Sequence, residues 1–80
     1  MNFAKLNGIN VVIDLTIVNN NAILDPQGIP QPSIGVAFLQ NITGYSNWVY
    51  YDGISDGQRA EIGGSYDPNT NTFSPAPPNF

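Results

Sequence analysis

The sequence of 80 residues predicts a small α+β fold, predominantly β, in which a small antiparallel sheet carries one short helix. Three observations point there. Residues 9–17 alternate apolar and polar side chains, Ile34, Phe38 and Ile42 recur every four residues, and two aromatic-rich runs, 47–51 and 66–73, are bounded by turn residues. A period of two puts alternate side chains on one face of a strand, whereas a spacing of four draws a stripe down a helix. The expected architecture is an N-terminal β-meander, a helix laid on it, and a C-terminal hairpin. Residues 1–73 form a single globular domain on this reading, and residues 74–80 a proline-rich extended tail.

Each element has a local reason. Ile9, Val11, Ile13, Leu15 and Ile17 are apolar, Asn10, Asp14 and Thr16 separate them, and only Val12 breaks the alternation. β-Branched residues in that pattern read as a half-buried strand with one wet face. Phe3-Ala4-Lys5-Leu6 precedes it, and the intervening Asn7-Gly8 is a strong signal for a type I′ hairpin turn. Three asparagines, 19–21, then make a second turn before a third short strand at 22–24. Asp25-Pro26-Gln27-Gly28 closes the meander with proline and glycine in type I positions. Ser33 stands where a helix N-cap belongs, and Gly44 where the C-terminus needs a residue at positive φ. Ile34, Ala37, Phe38 and Ile42 would face the sheet. Residues 47–51 supply a strand, and Gly63-Gly64 suggests a bulge or a close backbone approach. Tyr66 and Phe73 flank a tight turn and could pair across two strands. Pro75, Pro77 and Pro78 keep the tail out of any central strand.

Composition narrows the function. Charged residues are 10% of the chain, against about 25% in ordinary globular domains. With Lys5 and Arg59 as the two cations and a net charge of −4, the chain lacks the basic cluster that phosphate backbones or anionic membranes demand. Neither nucleic acid nor membrane is expected as a partner. No apolar run approaches the roughly 20 residues of a spanning helix, and residues 1–5 lack the basic-then-apolar order of a signal peptide. The chain has no cysteine and no histidine, so disulfide staples and the commonest metal ligands are missing. A small domain without staples gains stability from contacts, which favours a homo-oligomer.

The same inventory argues against an enzyme. Acid–base catalysis commonly uses histidine, or a carboxylate or lysine of shifted pKa held in a cleft. The six carboxylates, Asp14, Asp25, Asp52, Asp56, Glu61 and Asp67, have little cleft available in so short a chain. Asp67, Asn69 and Asn71 alternate like the opening of a calcium loop, but Thr72 and Pro78 occupy the places of its glycine and glutamate. A turn stabilised by side-chain-to-backbone hydrogen bonds is the expectation there, and no cofactor or metal is expected. The sequon Asn41-Ile42-Thr43 falls within the proposed helix. For binding or interface, the candidates are Tyr45, Trp48, Tyr50, Tyr51, Tyr66 and Phe73, which could line a sugar or peptide site or simply pack.

The order of segments carries a resemblance. Trp48-Val49-Tyr50-Tyr51, then Arg59-Ala60-Glu61-Ile62-Gly63-Gly64-Ser65-Tyr66-Asp67, then Phe73 and prolines, resembles a segment of small uncharacterised or virion structural proteins of marine cyanophages of the tailed, myovirus type. Ser33 to Gln40 is similar to the short helix before their tryptophan strand, Asp25-Pro26-Gln27-Gly28 to their acidic turn, and residues 3–18 to their opening hairpin. The correspondence covers nearly the whole chain. Gly64 and Ser65 depart from it, standing where the family has an aromatic residue and a threonine, and the chain stops at Phe80 where relatives continue into a second tryptophan-containing stretch. The resemblance implies a virion protein, made in the host cytoplasm and packed against other phage structural proteins. The alternative is a small phage-encoded intracellular binding protein that acts on a host or phage protein.

Overall fold

The computed structural model describes residues 1–77, and its architecture grows outward from β1 (Asn2–Leu6). This strand is the middle of a three-stranded antiparallel sheet, between β2 (Val12–Ile17) and β3 (Trp48–Tyr51). Phe3 and Lys5 point to one face, and Ala4 and Leu6 to the other. Helix α1 (Pro32–Thr43) lies on the Phe3 face; the hairpin of β4 (Ser65–Asp67) and β5 (Thr72–Ser74) places Phe73 on the opposite one. Covered on both sides, Phe3, Ala4 and Leu6 have no solvent exposure at all. The sheet thus separates two small cores: Phe3, Val18, Ile23, Leu39 and Trp48 beneath the helix, and Ala4, Leu6, Val12 and Phe73 beneath the hairpin. A small antiparallel sheet with one helix and a separate hairpin is the α+β, predominantly β class expected.

Within that class the strand order differs from the expected meander. Residues 22–24 form no third strand; Asn20–Ala22 is a 3₁₀ turn, with the Asn19 side chain accepting the Asn21 amide at 2.9 Å. Asparagine side chains that bond their own backbone compete with ladder formation. Leu24 makes only an isolated bridge to Pro30, while Ile23 is fully buried. The second edge of β1 goes instead to β3, with Phe3 opposite Tyr50 and Lys5 opposite Trp48.

The first turn is also not a two-residue type I′ turn. Gly8 is not among the residues at positive φ; Asn10 is, at +60°. The loop is organised by Asn7, whose side-chain oxygen accepts the amides of Ile9 and Val11, each at 3.0 Å. A register shift between Lys5 and Leu6 leaves Ile13 as a bulge, because Lys5 pairs with Asp14 while Leu6 pairs with Val12. That extra residue brings Val12 onto the same face as Leu15. Val12, which interrupts the alternation, is buried and Leu15 packs beside it, whereas Ile9 and Ile17 are 79% and 78% exposed.

Helix α1 starts two residues earlier than the serine suggests. Gln31 is the N-cap, without a side-chain cap bond, and Pro32 occupies the first turn, where its missing N–H costs nothing. Gly44 ends the helix at φ 70°, as expected. The buried face is Gly35 and Leu39, with Ile34 and Val36 packed beside them; Ala37, Phe38 and Ile42 face outward. Gly35 explains the rotation: a Cβ there would lie 2.2 Å from Cζ of Phe3, so the ring rests directly on the helix backbone.

In the C-terminal hairpin Tyr66 stands opposite Phe73, as expected. Gly63 and Gly64 bring this unit against the start of β2: the Val12 amide donates to the Gly64 carbonyl at 2.8 Å and the Gly63 amide donates to the Val12 carbonyl at 2.8 Å. A Cβ on Gly64 would meet the Ser74 carbonyl oxygen at 2.6 Å, the close approach the glycine pair suggested. Ser74 belongs to β5, and Pro75 to Pro77 follow outside any strand. The remainder of the expected tail, residues 78–80, lies outside the described residues.

Candidate interaction surface

The six aromatic candidates do not form one cluster. The sheet divides them, because Trp48 and Tyr50 alternate with Val49 and Tyr51 along β3. Tyr45, Trp48 and Tyr50 pack with the helix-side core, and Tyr51, Tyr66 and Phe73 with the hairpin-side core.

On the helix side the chain fills its own aromatic site. The Lys5 ammonium sits 4.5 Å from the Tyr45 ring centroid and 5.9 Å from that of Trp48, a cation–π arrangement. The Trp48 indole N–H donates to the Thr43 hydroxyl at 3.3 Å, and the Tyr45 hydroxyl donates to the Leu6 carbonyl. Tyr50 meets Phe3 edge-on, with centroids 5.9 Å apart. Trp48 is 7% exposed. A stacking platform for a sugar needs an open aromatic face, and this indole has none to offer.

On the hairpin side Phe73 is the hub, 5.7 Å from the Tyr51 ring and 4.8 Å from that of Tyr66. Burial raises the Tyr51 phenol above its ordinary pKa; burial, with a smaller contribution from the Asp67 charge, does the same for Tyr66. Both phenols therefore remain neutral at physiological pH, and the Tyr66 hydroxyl donates a hydrogen bond to the Asn71 side-chain oxygen at 2.8 Å.

An open concavity of about 530 Å³ lies beside Phe73, lined by Ser55, Asp56, Arg59, Ala60, Glu61 and Pro75 among others. Its one hydroxyl is already engaged: Ser55 donates to the Asp52 carboxylate at 2.6 Å. That bond, followed by the Ile54 and Ser55 amides, holds the Asp52 carboxyl below its usual range. The hydroxyl serves a turn, and the carboxylate it meets is made a weaker base by the same hydrogen bonds. In the loop after β4, the Asp67 carboxylate accepts the Asn69 amide at 2.9 Å, so the expected turn is formed. Among the described residues no group of three or more acidic side chains is placed to hold a metal ion.

What the sequence pattern hid is the apolar surface. Ile13 and Ile17 on β2, Phe38 and Ile42 on α1, and Ile9, Ile54 and Ile62 in loops are all exposed. The signal for β2 was Val12: one break in a period of two is what a bulge produces, and it reverses the face of everything on one side of it. No helix among the described residues is long and apolar enough to cross a membrane. Comparison with protein-family models, curated proteins and solved structures found no match to this chain.

Proposed function

We propose that this chain is a non-enzymatic structural or accessory component of a marine tailed-phage particle, such as a tail, fibre or neck element, and that it works by packing against other proteins, copies of itself included. The observation that carries the packing half of this reading is the placement of its apolar side chains. The aromatic residues that could have bound a ligand are spent on two internal cores, while Ile13 and Ile17 stand together on one strand at 43% and 78% exposure. Isolated exposed hydrophobics are ordinary on any protein; a pair on the edge strand of a sheet is a contact surface. The phage setting rests on the order of sequence segments described above, from the opening hairpin to the tryptophan strand and the glycine pair. Mass spectrometry of purified virions tests it. A structural component is present in many copies per particle, and its absence from clean particles would favour the small host-directed binding protein instead.

A further inference from the structure

We infer that the edge of β2 is a self-complementary docking site for a second copy of this chain, joining two three-stranded sheets into one across a two-fold axis at Leu15. This names the partner for the packing surface proposed above and rests on that reading. The backbone geometry shows which groups are free. The Val18 amide donates to the Met1 carbonyl at 2.9 Å and the Met1 amino group donates to the Val18 carbonyl at 2.7 Å. Antiparallel ladders alternate, so Thr16 and Asp14 also turn their backbone groups toward β1, and Leu15 and Ile17 turn theirs outward. The Leu15 amide does not bond β1; in the single chain it donates to the carboxylate of the neighbouring Asp14 at 2.9 Å, a bond that docking exchanges for the Leu15 carbonyl of the second copy. Residues 63–65 cover the edge only as far as Val11 and Val12, and among the described residues no strand lies beside the stretch from Ile13 to Ile17.

The side chains select a second copy as occupant. Read in opposite directions about Leu15, Ile-Asp-Leu-Thr-Ile sets Ile13 against Ile17, Leu15 against itself, and Asp14 against Thr16. Apolar meets apolar at both ends, and the one charge on the strand meets a hydroxyl that can donate to it. The two Asp14 carboxylates lie on a diagonal, where strand neighbours are about 7–8 Å apart, rather than face to face. The other free edge, β3, carries only buried or half-buried side chains and no such symmetry. At the described end of the chain, Pro75 and Pro77 lack the N–H that a ladder needs.

A chain without native cysteine allows the register to be read directly. Asp14→Cys and Thr16→Cys would face each other at about 4.5 Å between Cα atoms, within the roughly 4.4–6.8 Å span of a disulfide. Under mild oxidant, a mixture of the two variants should form a covalent dimer, while either variant alone should not. Ile17→Pro removes an outward N–H and an exposed side chain, so circular dichroism should stay native while sedimentation shows dimer association weakened at least about tenfold. A wild-type chain that stays monomeric at high micromolar concentration overturns the inference. So does a dimer that Ile17→Pro leaves intact and the mixed cysteines fail to link; that result places the interface elsewhere and leaves packing as the mode of action. A β2-linked dimer absent from virions upholds the inference and removes the phage assignment.

Discussion

Gly35 is the fourth residue of α1, at a cost in helix propensity of up to about 1 kcal/mol relative to alanine. Its return is the Phe3 ring lying on the helix backbone, where a methyl group would stand 2.2 Å from Cζ. Gly35→Ala should therefore destabilise the fold despite better propensity, by about 1–2 kcal/mol, on the scale of overpacked cores. A urea midpoint that rises would show that the ring can move aside. The turn after β1 makes a contrast between neighbours. Gly8 has open space around it and no positive φ, so Gly8→Ala should leave the midpoint nearly unchanged, whereas Asn10→Val forces a β-branched residue to φ +60° and should cost about 1 kcal/mol or more. Equal effects at both positions would contradict the loop geometry. Two aspartates set the acid response. The Ile29 amide and then the Gln31 side chain depress the Asp25 carboxyl, and the Ser55 hydroxyl and then the Ile54 amide depress Asp52. A depressed carboxyl stabilises the fold above its unfolded value and loses that contribution as pH falls through the folded one. Stability should thus decline below about pH 3.8, and Asp25→Asn should flatten that acid limb in a pH series of thermal melts.

The β4–β5 hairpin is held by its own side chains, since Asp67 caps Asn69 and Asn71 receives the Tyr66 hydroxyl. A calcium site there would raise stability by mass action, about 2.7 kcal/mol at a hundredfold excess over its dissociation constant. The expected outcome is a Tm the same in EDTA and in millimolar calcium, within about a degree or two. A rise of several degrees, abolished by Asp67→Asn, would make the loop a metal site. This hairpin was legible in the sequence because all of its determinants are local: a tight turn flanked by Tyr66 and Phe73, which do pair. The Gly44 cap was legible for the same reason, being set by the φ of one residue. The face of β2 was not. A bulge at Ile13 is decided by which residues of β1 and of the 63–65 segment lie opposite, and no window of the sequence contains all three. The buried face of α1 was hidden likewise, since Gly35 reads as a poor helix former until the ring of Phe3 is set against it. The aromatic candidates pack with two separate cores, and their division by a sheet required knowing that β3 pairs with β1.

At the scale of the molecule, β1 is buried on both faces and bonded on both edges, so removing residues 1–6 should abolish cooperative unfolding altogether. Surviving near-ultraviolet dichroism in such a truncation would mean the hairpin and helix fold without it. The same centrality sets a timetable. The first strand to leave the ribosome is the one whose neighbours come last: β3 begins at Trp48, and Phe73, which roofs Ala4 and Leu6, follows some seventy residues behind them. At roughly 5–20 residues per second, several seconds separate the synthesis of that seam from the synthesis of its cover. During that interval Ala4 and Leu6 are bare on a nascent chain that cannot yet close. Local helices form in about a microsecond, so the delay belongs to translation and to the sequence-distant pairing rather than to any slow conformational step. A nascent chain stalled before Thr72 should consequently remain open to protease along its whole length, and crowded neighbouring polysomes would bring such bare seams together before any of them is finished.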